Sequence, residues 1–294
     1  MTVGFGGWRK AGVIAFFLGP SLIPLLAFLV IPMVGSLGLS FLDWNLIQAP
    51  KWRGIGNYQE LLHDSHFHQA LLHTAYFVGG YLPIVFFGGL GLALALNQKL
   101  KGMALFRTVY FLPVVTSWVV VALMWKWLLN PQYGFVNFLL SKVGITGPGW
   151  WVDPNWSMPS IIIASAWKDI GYSMILFLGG LQAIAPEYYE AASIDGANAW
   201  QRFRKITLPL LSPTSFFVIV ISLINNIQVF DQVWVMTGGG PVESSTVVVQ
   251  QIVQNAFSYS RMGYAAAMSW VLFAIILVIT LTQFRLQKRW VHYD

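Results

Sequence analysis

Long apolar runs separated by short polar segments set the pattern of this chain. A membrane-crossing helix needs about 20 mostly apolar residues, because the hydrocarbon core is about 30 Å thick and an α-helix rises 1.5 Å per residue. Six stretches satisfy that requirement, at approximately Ala11–Leu42, Gln69–Leu96, Thr108–Leu129, Ser157–Ala185, Leu208–Met236 and Gly263–Phe284. Lipid offers backbone groups no hydrogen-bond partner, so each stretch predicts a closed helix. The expected architecture is an all-α membrane protein, one domain over residues 1–294 with six transmembrane helices. Its main polar interruption is the loop 186–207. The first run is about twice the length of a signal-peptide core and no A-x-A site follows it, so it reads as a retained helix. Pro20, Pro24 and Pro32 predict kinks there, which neighbouring helices can tolerate.

Composition supports the membrane reading. Apolar residues form 56% of the chain and charged residues 10%, against roughly half and a quarter in soluble domains. The net charge of +6 comes from short Lys/Arg clusters beside the apolar runs, not from the basic stripe a nucleic-acid partner requires. Positive loops stay cytoplasmic. Arg9, Lys10, Lys99, Lys101, Arg107, Arg202, Arg204, Lys205, Arg285, Lys288 and Arg289 fall on one side, and Lys51, Arg53, Lys126, Lys142 and Arg261 on the other. Both termini of a multi-pass membrane protein are therefore expected in the cytoplasm. Trp44, Trp52, Trp125, Trp127, Trp150, Trp151 and Trp156 suit an interfacial belt better than a carbohydrate-stacking surface. The chain has no Cys, which excludes disulfides and thiolate metal sites.

The loop between the fourth and fifth spans holds the densest signal. Pro186 and Glu187 suit a helix start, and a short helix is expected to about Ile194. Asp195-Gly196 ends it, since Gly reaches the left-handed conformation that closes a helix. A second helix is expected from Ala197 into Arg202, Arg204 and Lys205. The product is a cytoplasmic helix-turn-helix hairpin. Ala191, Ala192 and Ala197 leave room for a partner's backbone, while Phe203, Ile206 and Leu208 are apolar anchors toward the bundle.

In order and spacing, Glu190, Ala191, Ala192, Asp195, Gly196, Ala197, Phe203, Ile206, Leu208 and Pro209 resemble the EAA motif of binding-protein-dependent ABC importer permeases. The segments starting at Phe111, Asp153, Val229 and Gly263 are similar to its carbohydrate-uptake branch, which includes the maltose and glycerol-phosphate permeases. The resemblance implies a type I ABC importer permease fold, reduced to the plain six-helix core. It implies that the loop is a coupling helix seated on a cytoplasmic ATPase, with Glu190, Ala191, Ala192, Asp195, Gly196 and Ala197 at the contact. Implied partners are a second permease, two ATPase subunits that carry ATP and Mg, and an extracytoplasmic solute-binding protein. No cofactor is expected on this chain. The implied mechanism is alternating access, and the implied location is the plasma (inner) membrane of a prokaryote.

Polar groups inside spans are costly and belong on a bundle interior or an aqueous path. At 100° per residue Ser222, Asn225, Asn226, Gln228 and Gln232 fall within about 160° of arc, with Leu223, Ile227 and Phe230 opposite. Amides and hydroxyls suit a neutral polyol, and equally serve as glue between helices. The resemblance favours a sugar path at Ser222 and Asn226. Lys168 and Asp169 interrupt the fourth span, either as a pocket wall or as a brace. Trp118 is a candidate stacking surface or plain packing, and Asp231 a candidate gate residue.

His63, His66, His68 and His73 form a loose cluster that lacks the closed ligand set a zinc site wants. TGGGP at 237–241 lacks the Lys-Ser/Thr ending of a nucleotide loop, and no such loop occurs elsewhere. The chain is therefore read as a permease without an enzymatic activity of its own. One rival is a self-contained ion-coupled carrier using Asp169, Asp231 or Lys168, which leaves the hairpin without a task. Another is an intramembrane enzyme at His73 or the Lys168–Asp169 pair, for which no nucleophile and base converge. The particular solute is not written in the chain.

Overall fold

The computed structural model describes residues 7–98 and 101–291, with side chains from residue 12 onward. Lys99 and the side chains of Arg9 and Lys10, counted above as cytoplasmic charges, lie outside the described residues. In chain order the helices are α1 (Gly12–Leu39), α2 (Gly56–His63), α3 (Ser65–Leu96), α4 (Met103–Val115), α5 (Trp118–Leu128), α6 (Phe135–Lys142), α7 (Ser157–Ala183), α8 (Pro186–Ile194), α9 (Ala199–Leu210), α10 (Ser212–Ile227), α11 (Asp231–Met236), α12 (Val248–Val253) and α13 (Met262–Gln287). The helices α1, α3, α7 and α13 are each long and apolar enough to cross a membrane. The bent pairs α4/α5 and α9/α10 raise the number to six when each is taken as one span.

The chain forms two compact units. The first comprises residues 1–64 and 252–271. Its α1 has no buried residue along its most apolar stretch. A two-stranded antiparallel hairpin follows, β1 (Leu42–Asp43) against β2 (Lys51–Trp52). Asn57, almost fully buried, ties that hairpin to α2 by donating to the carbonyls of Ser40 (2.8 Å) and Leu42 (2.9 Å). Beside it Glu60 accepts from Arg53 (3.0 Å) and from Arg261. Burial pushes the Glu60 carboxyl up, but the two guanidiniums outweigh it and hold the group below its ordinary value.

The second unit comprises residues 65–251 and 272–294. Its centre is the pairing of α3 with α7, the most extensive helix contact in the protein. Leu90, Ala93 and Leu96 of α3 meet Met174, Phe177, Leu178 and Leu181 of α7, with Leu211 and Val218 closing the cluster. Phe86 meets Phe177 edge-on, their centroids 5.2 Å apart. Against the other side of α7 runs α4, so close at Gly171 that a β-carbon there would strike the Tyr110 carbonyl. Arg107 donates to the Leu96 carbonyl (2.7 Å), capping the end of α3.

Two expected spans are broken. The third turns by 100° at Thr116–Ser117, between α4 and α5. Pro113 lacks an N–H and weakens the last turn of α4, and Thr116 is extended (φ −78, ψ 142). The fifth bends by 60° around Leu211, between Pro209 and Pro213, and its helix stops at Ile227. Asn226 donates its side-chain amide to the Ser222 carbonyl (2.9 Å), a back-bond that competes with the backbone ladder. Gln228 then leaves helical geometry (φ −97, ψ 22) before α11 begins. The periodic arc expected through Gln232 therefore ends at Ile227, and Phe230 does not sit on the apolar side as its spacing implied. After α11, TGGGP is folded back under hydroxyls: Ser245 Oγ donates to Gly240 O (2.8 Å) and Thr246 Oγ1 to Gly239 O (3.2 Å). The chain continues through α12 before it reaches α13.

Candidate functional site

Two features of the second unit carry chemistry. One is the hairpin at 186–207. Its first helix, α8, starts with Pro186 in the first turn and ends at Ile194, as the sequence implies. Gly196 is left-handed (φ +74). The Gly196 N–H donates to Ser193 O (3.2 Å) and the Ala197 N–H to Ala192 O (2.9 Å), the paired bonds of a Schellman stop. The second helix starts two residues later than expected, at Ala199. Asn198 caps it, accepting from the Gln201 N–H (2.9 Å) while Gln201 Oε1 accepts from the Asn198 N–H (2.8 Å). This reciprocal box satisfies two orphan donors and fixes the start. Arg202 donates to Ser193 Oγ (3.1 Å), and Tyr189 and Thr207 join their hydroxyls at 3.0 Å, so the two arms are stapled.

On that hairpin Glu190, Ala191, Asp195 and Gly196 are exposed, and Ala192 and Ala197 are half-buried. Ile194 is 87% exposed and Trp200 66%. Apolar surface of that kind, held on a rigid turn, suits a protein contact. Sequence reasoning passed over both residues because they lie outside the motif.

The other feature is a cavity of about 560 Å³. Tyr81 of α3, Val114 and Trp118 on either side of the break in the third span, and Asp169, Tyr172 and Ser173 of α7 form part of its wall. Ile221, Ser222, Asn225 and Asn226 of α10 and the segment 228–232 complete it. Tyr81 donates its hydroxyl to Asp169 Oδ2 at 2.9 Å, and the Asn226 amide approaches the same hydroxyl. Phe230 lines the cavity because the helix has ended before it. Leu223 and Ile227 face away, into an apolar pocket of about 670 Å³ shared with α3 and α13.

Ser222, Asn226, Asp169 and Trp118 thus meet in one place, and Asp231 joins them. Lys168 stands behind the wall: it is 5% exposed, and its ammonium donates to the Val114 carbonyl at 2.8 Å. Tyr81 and Tyr172 were not foreseen. Tyr172 lies three residues after Asp169 and so shares its helix face, a signal that was available. The charged lining residues are both acidic, and neither Lys nor Arg lines the cavity.

Other sequence features resolve into ordinary structure. The Nδ1 atoms of His63, His66 and His73 contact Gln59 O, Glu243 Oε2 and Thr246 O respectively, at 2.9 to 3.0 Å. No metal-holding group of acidic residues and histidines occurs among the described residues. Trp150, one of the aromatics expected in the belt, is buried and donates to Asn137 Oδ1 at 2.6 Å, packed edge-on against Trp156.

Broken membrane helices around a polar cavity, with a stapled hairpin on the same unit, define a transporter subunit. The chain belongs to the family of binding-protein-dependent transport system inner membrane components, whose pattern matches residues 87–292. It is a multi-pass inner-membrane permease of an ABC importer.

The probable ABC transporter permease protein YesP of Bacillus subtilis is 40% identical over 283 residues, covering 95% of this chain and 91% of that protein. The trehalose/maltose transport system permease protein MalF of Thermococcus litoralis is 31% identical over 282 residues, covering 96% and 95%. Among solved structures, a bacterial ABC transporter that imports the acidic polysaccharide alginate superposes with a TM-score of 0.84 at 28% identity and 96% coverage of both chains. It has also been crystallised with an alginate pentasaccharide-bound periplasmic protein.

Proposed function

We propose that this permease forms half of the path for an uncharged sugar or related polyol, by alternating access with a second, distinct permease subunit. Both termini and the hairpin face the cytoplasm. There Glu190, Ala191, Ala192, Asp195, Gly196 and Ala197 seat against one of two ATPase subunits, which supply ATP, Mg and hydrolysis. A solute-binding protein delivers the sugar from outside. The observation that carries this reading is the joining, in one polar cavity, of Ser222 and Asn226 with Asp169, Tyr81 and Trp118.

Amides, hydroxyls and an aromatic ring are the groups that hold a sugar: directional hydrogen bonds for its hydroxyls and a flat face for its C–H surface. The trehalose and maltose named for the Thermococcus relative agree with that class, whereas the alginate named for the solved structure is an acidic polysaccharide. The charge does not suit an anionic one. With Asp169 and Asp231 in the wall and no cation among the lining residues, a uronate or phosphodiester would meet like charge. An uncharged sugar meets only donors and acceptors.

Substituting Asn226→Leu tests the assignment. The complex should assemble at normal yield while sugar uptake falls about tenfold, the scale of one lost hydrogen-bonding group in a buried site. Unchanged uptake would return Asn226 to bundle packing.

A further inference from the structure

The lysine behind the cavity wall is the group whose surroundings the solute path alone does not explain. A buried ammonium in a membrane bundle is expensive and is kept only where partners answer it. Lys168 has three. Its Nζ donates to Val114 O at 2.8 Å, lies 4.8 Å from the centre of the Trp118 ring, and is 3.9 Å from Asp169 Oδ1. The last of these is too long for a hydrogen bond. The first two lie on opposite sides of the break in the third span. Val114 is among the last residues of α4, whose final carbonyls have no partner within the helix. Trp118 is the first residue of α5, after a turn of 100°. One cation therefore fills the unsatisfied end of α4 and sits on the first aromatic of α5, and both partners line the cavity while Lys168 does not.

We propose that Lys168 is a positioning residue for transport: it pins the broken third span so that Trp118 presents its ring to the solute. The role rests on the reading of the cavity as the sugar path. Three features argue for it over generic packing. The hydrogen bond goes to a carbonyl exposed by the break, so it exists only in the bent geometry. The cation–ring contact fixes the orientation of the side chain offered to the cavity. And α7, which carries Lys168, is anchored in the core through Met174 and Phe177, so the pin is held by a helix packed at the centre of the unit.

The test uses the assembled transporter with both permeases, its ATPases and saturating sugar-loaded binding protein, and reads sugar molecules imported per ATP hydrolysed. A loosened wall lets solute slip without stopping hydrolysis, so this ratio reports positioning where mere assembly would not. Lys168→Met should lower the ratio about tenfold, the scale of losing a charged hydrogen bond. Lys168→Arg, which keeps a donor and a cation, should stay within about threefold of the native ratio. Trp118→Ala should produce the same loss as Lys168→Met, and the double variant no more, because the lysine acts through the ring.

A native ratio in Lys168→Met, additive losses in the double variant, or no rescue by Arg would each overturn the proposal. If the Met variant fails to assemble, Lys168→Gln keeps a donor for Val114 O without the cation and should show the same loss; a native ratio there also overturns it. A native ratio in Trp118→Ala would instead defeat the sugar-path reading itself, and the pin with it.

Discussion

Single residues decide how closely the helices of this protein approach and where its charges rest. Gly171 is the clearest case of close approach. A β-carbon at that position would meet the Tyr110 carbonyl, which no rotamer change relieves, so α4 would have to retreat from α7. Gly171→Ala is expected to lower unfolding stability by about 1–3 kcal/mol, the usual cost of overpacking a tight contact, read as a lower Tm of the detergent-purified subunit.

Glu60 gives a pH signature. Its pKa is held below the ordinary 4.5 by Arg261 and Arg53 against the opposing effect of burial. The folded state thus favours the carboxylate, and the stabilisation is complete above pH 4.5 and disappears as pH falls through the lower folded value. The Tm difference between the native protein and Glu60→Gln should be constant at neutral pH and shrink toward zero in acid. A difference that persists in acid would remove the ion-pair cluster as its source.

How much of the site was legible follows the same scale. Ser222 and Asn226 stand out because amides are conspicuous in an apolar run. Tyr81 does not, since an amphipathic ring in a span looks like packing until Asp169, 88 residues away, accepts a hydrogen bond from its hydroxyl.

Among the elements, the hairpin at 186–207 was the most readable and the broken spans the least. Its stop is local chemistry: Gly196 in the left-handed region and bonds that reach no further than five residues. Such chemistry is written in adjacent letters, and only the cap at Asn198, which displaced the expected start of the second helix, went unread. The breaks at Thr116–Ser117 and after Ile227 have the opposite origin. Pro113 alone does not announce a turn of 100°, because a proline within a span is commonly absorbed as a kink. The Val114 carbonyl left free by the break finds its partner in Lys168, 54 residues away. The end of α10 was hidden because amides before and after the break keep the helical period.

The hairpin's geometry also makes a prediction. Gly196→Asp forces a side chain into a left-handed position (φ +74) on an exposed turn, where open space removes any clash within the subunit but not the backbone strain. Membrane insertion should be preserved, while the yield of ATPase subunit copurified with the complex drops several-fold. Full copurification together with native transport would show that the contact lies elsewhere.

At the scale of the whole molecule, the polar cavity and the stapled hairpin belong to one compact unit. The hairpin continues into α10 through the bend at Leu211, and α10 carries Ser222 and Asn226 in the cavity wall. In the proposed mechanism the free energy comes from separate ATPase subunits. The most direct test is uptake of labelled sugar into proteoliposomes that contain this chain, with the partner permease, ATPases and binding protein added or withheld. Uptake should require ATP on the hairpin side together with the ATPase subunits, and should be indifferent to proton or sodium gradients. Accumulation by the purified subunit alone, driven by an ion gradient without ATP, would contradict the coupling of this bundle to a separate motor.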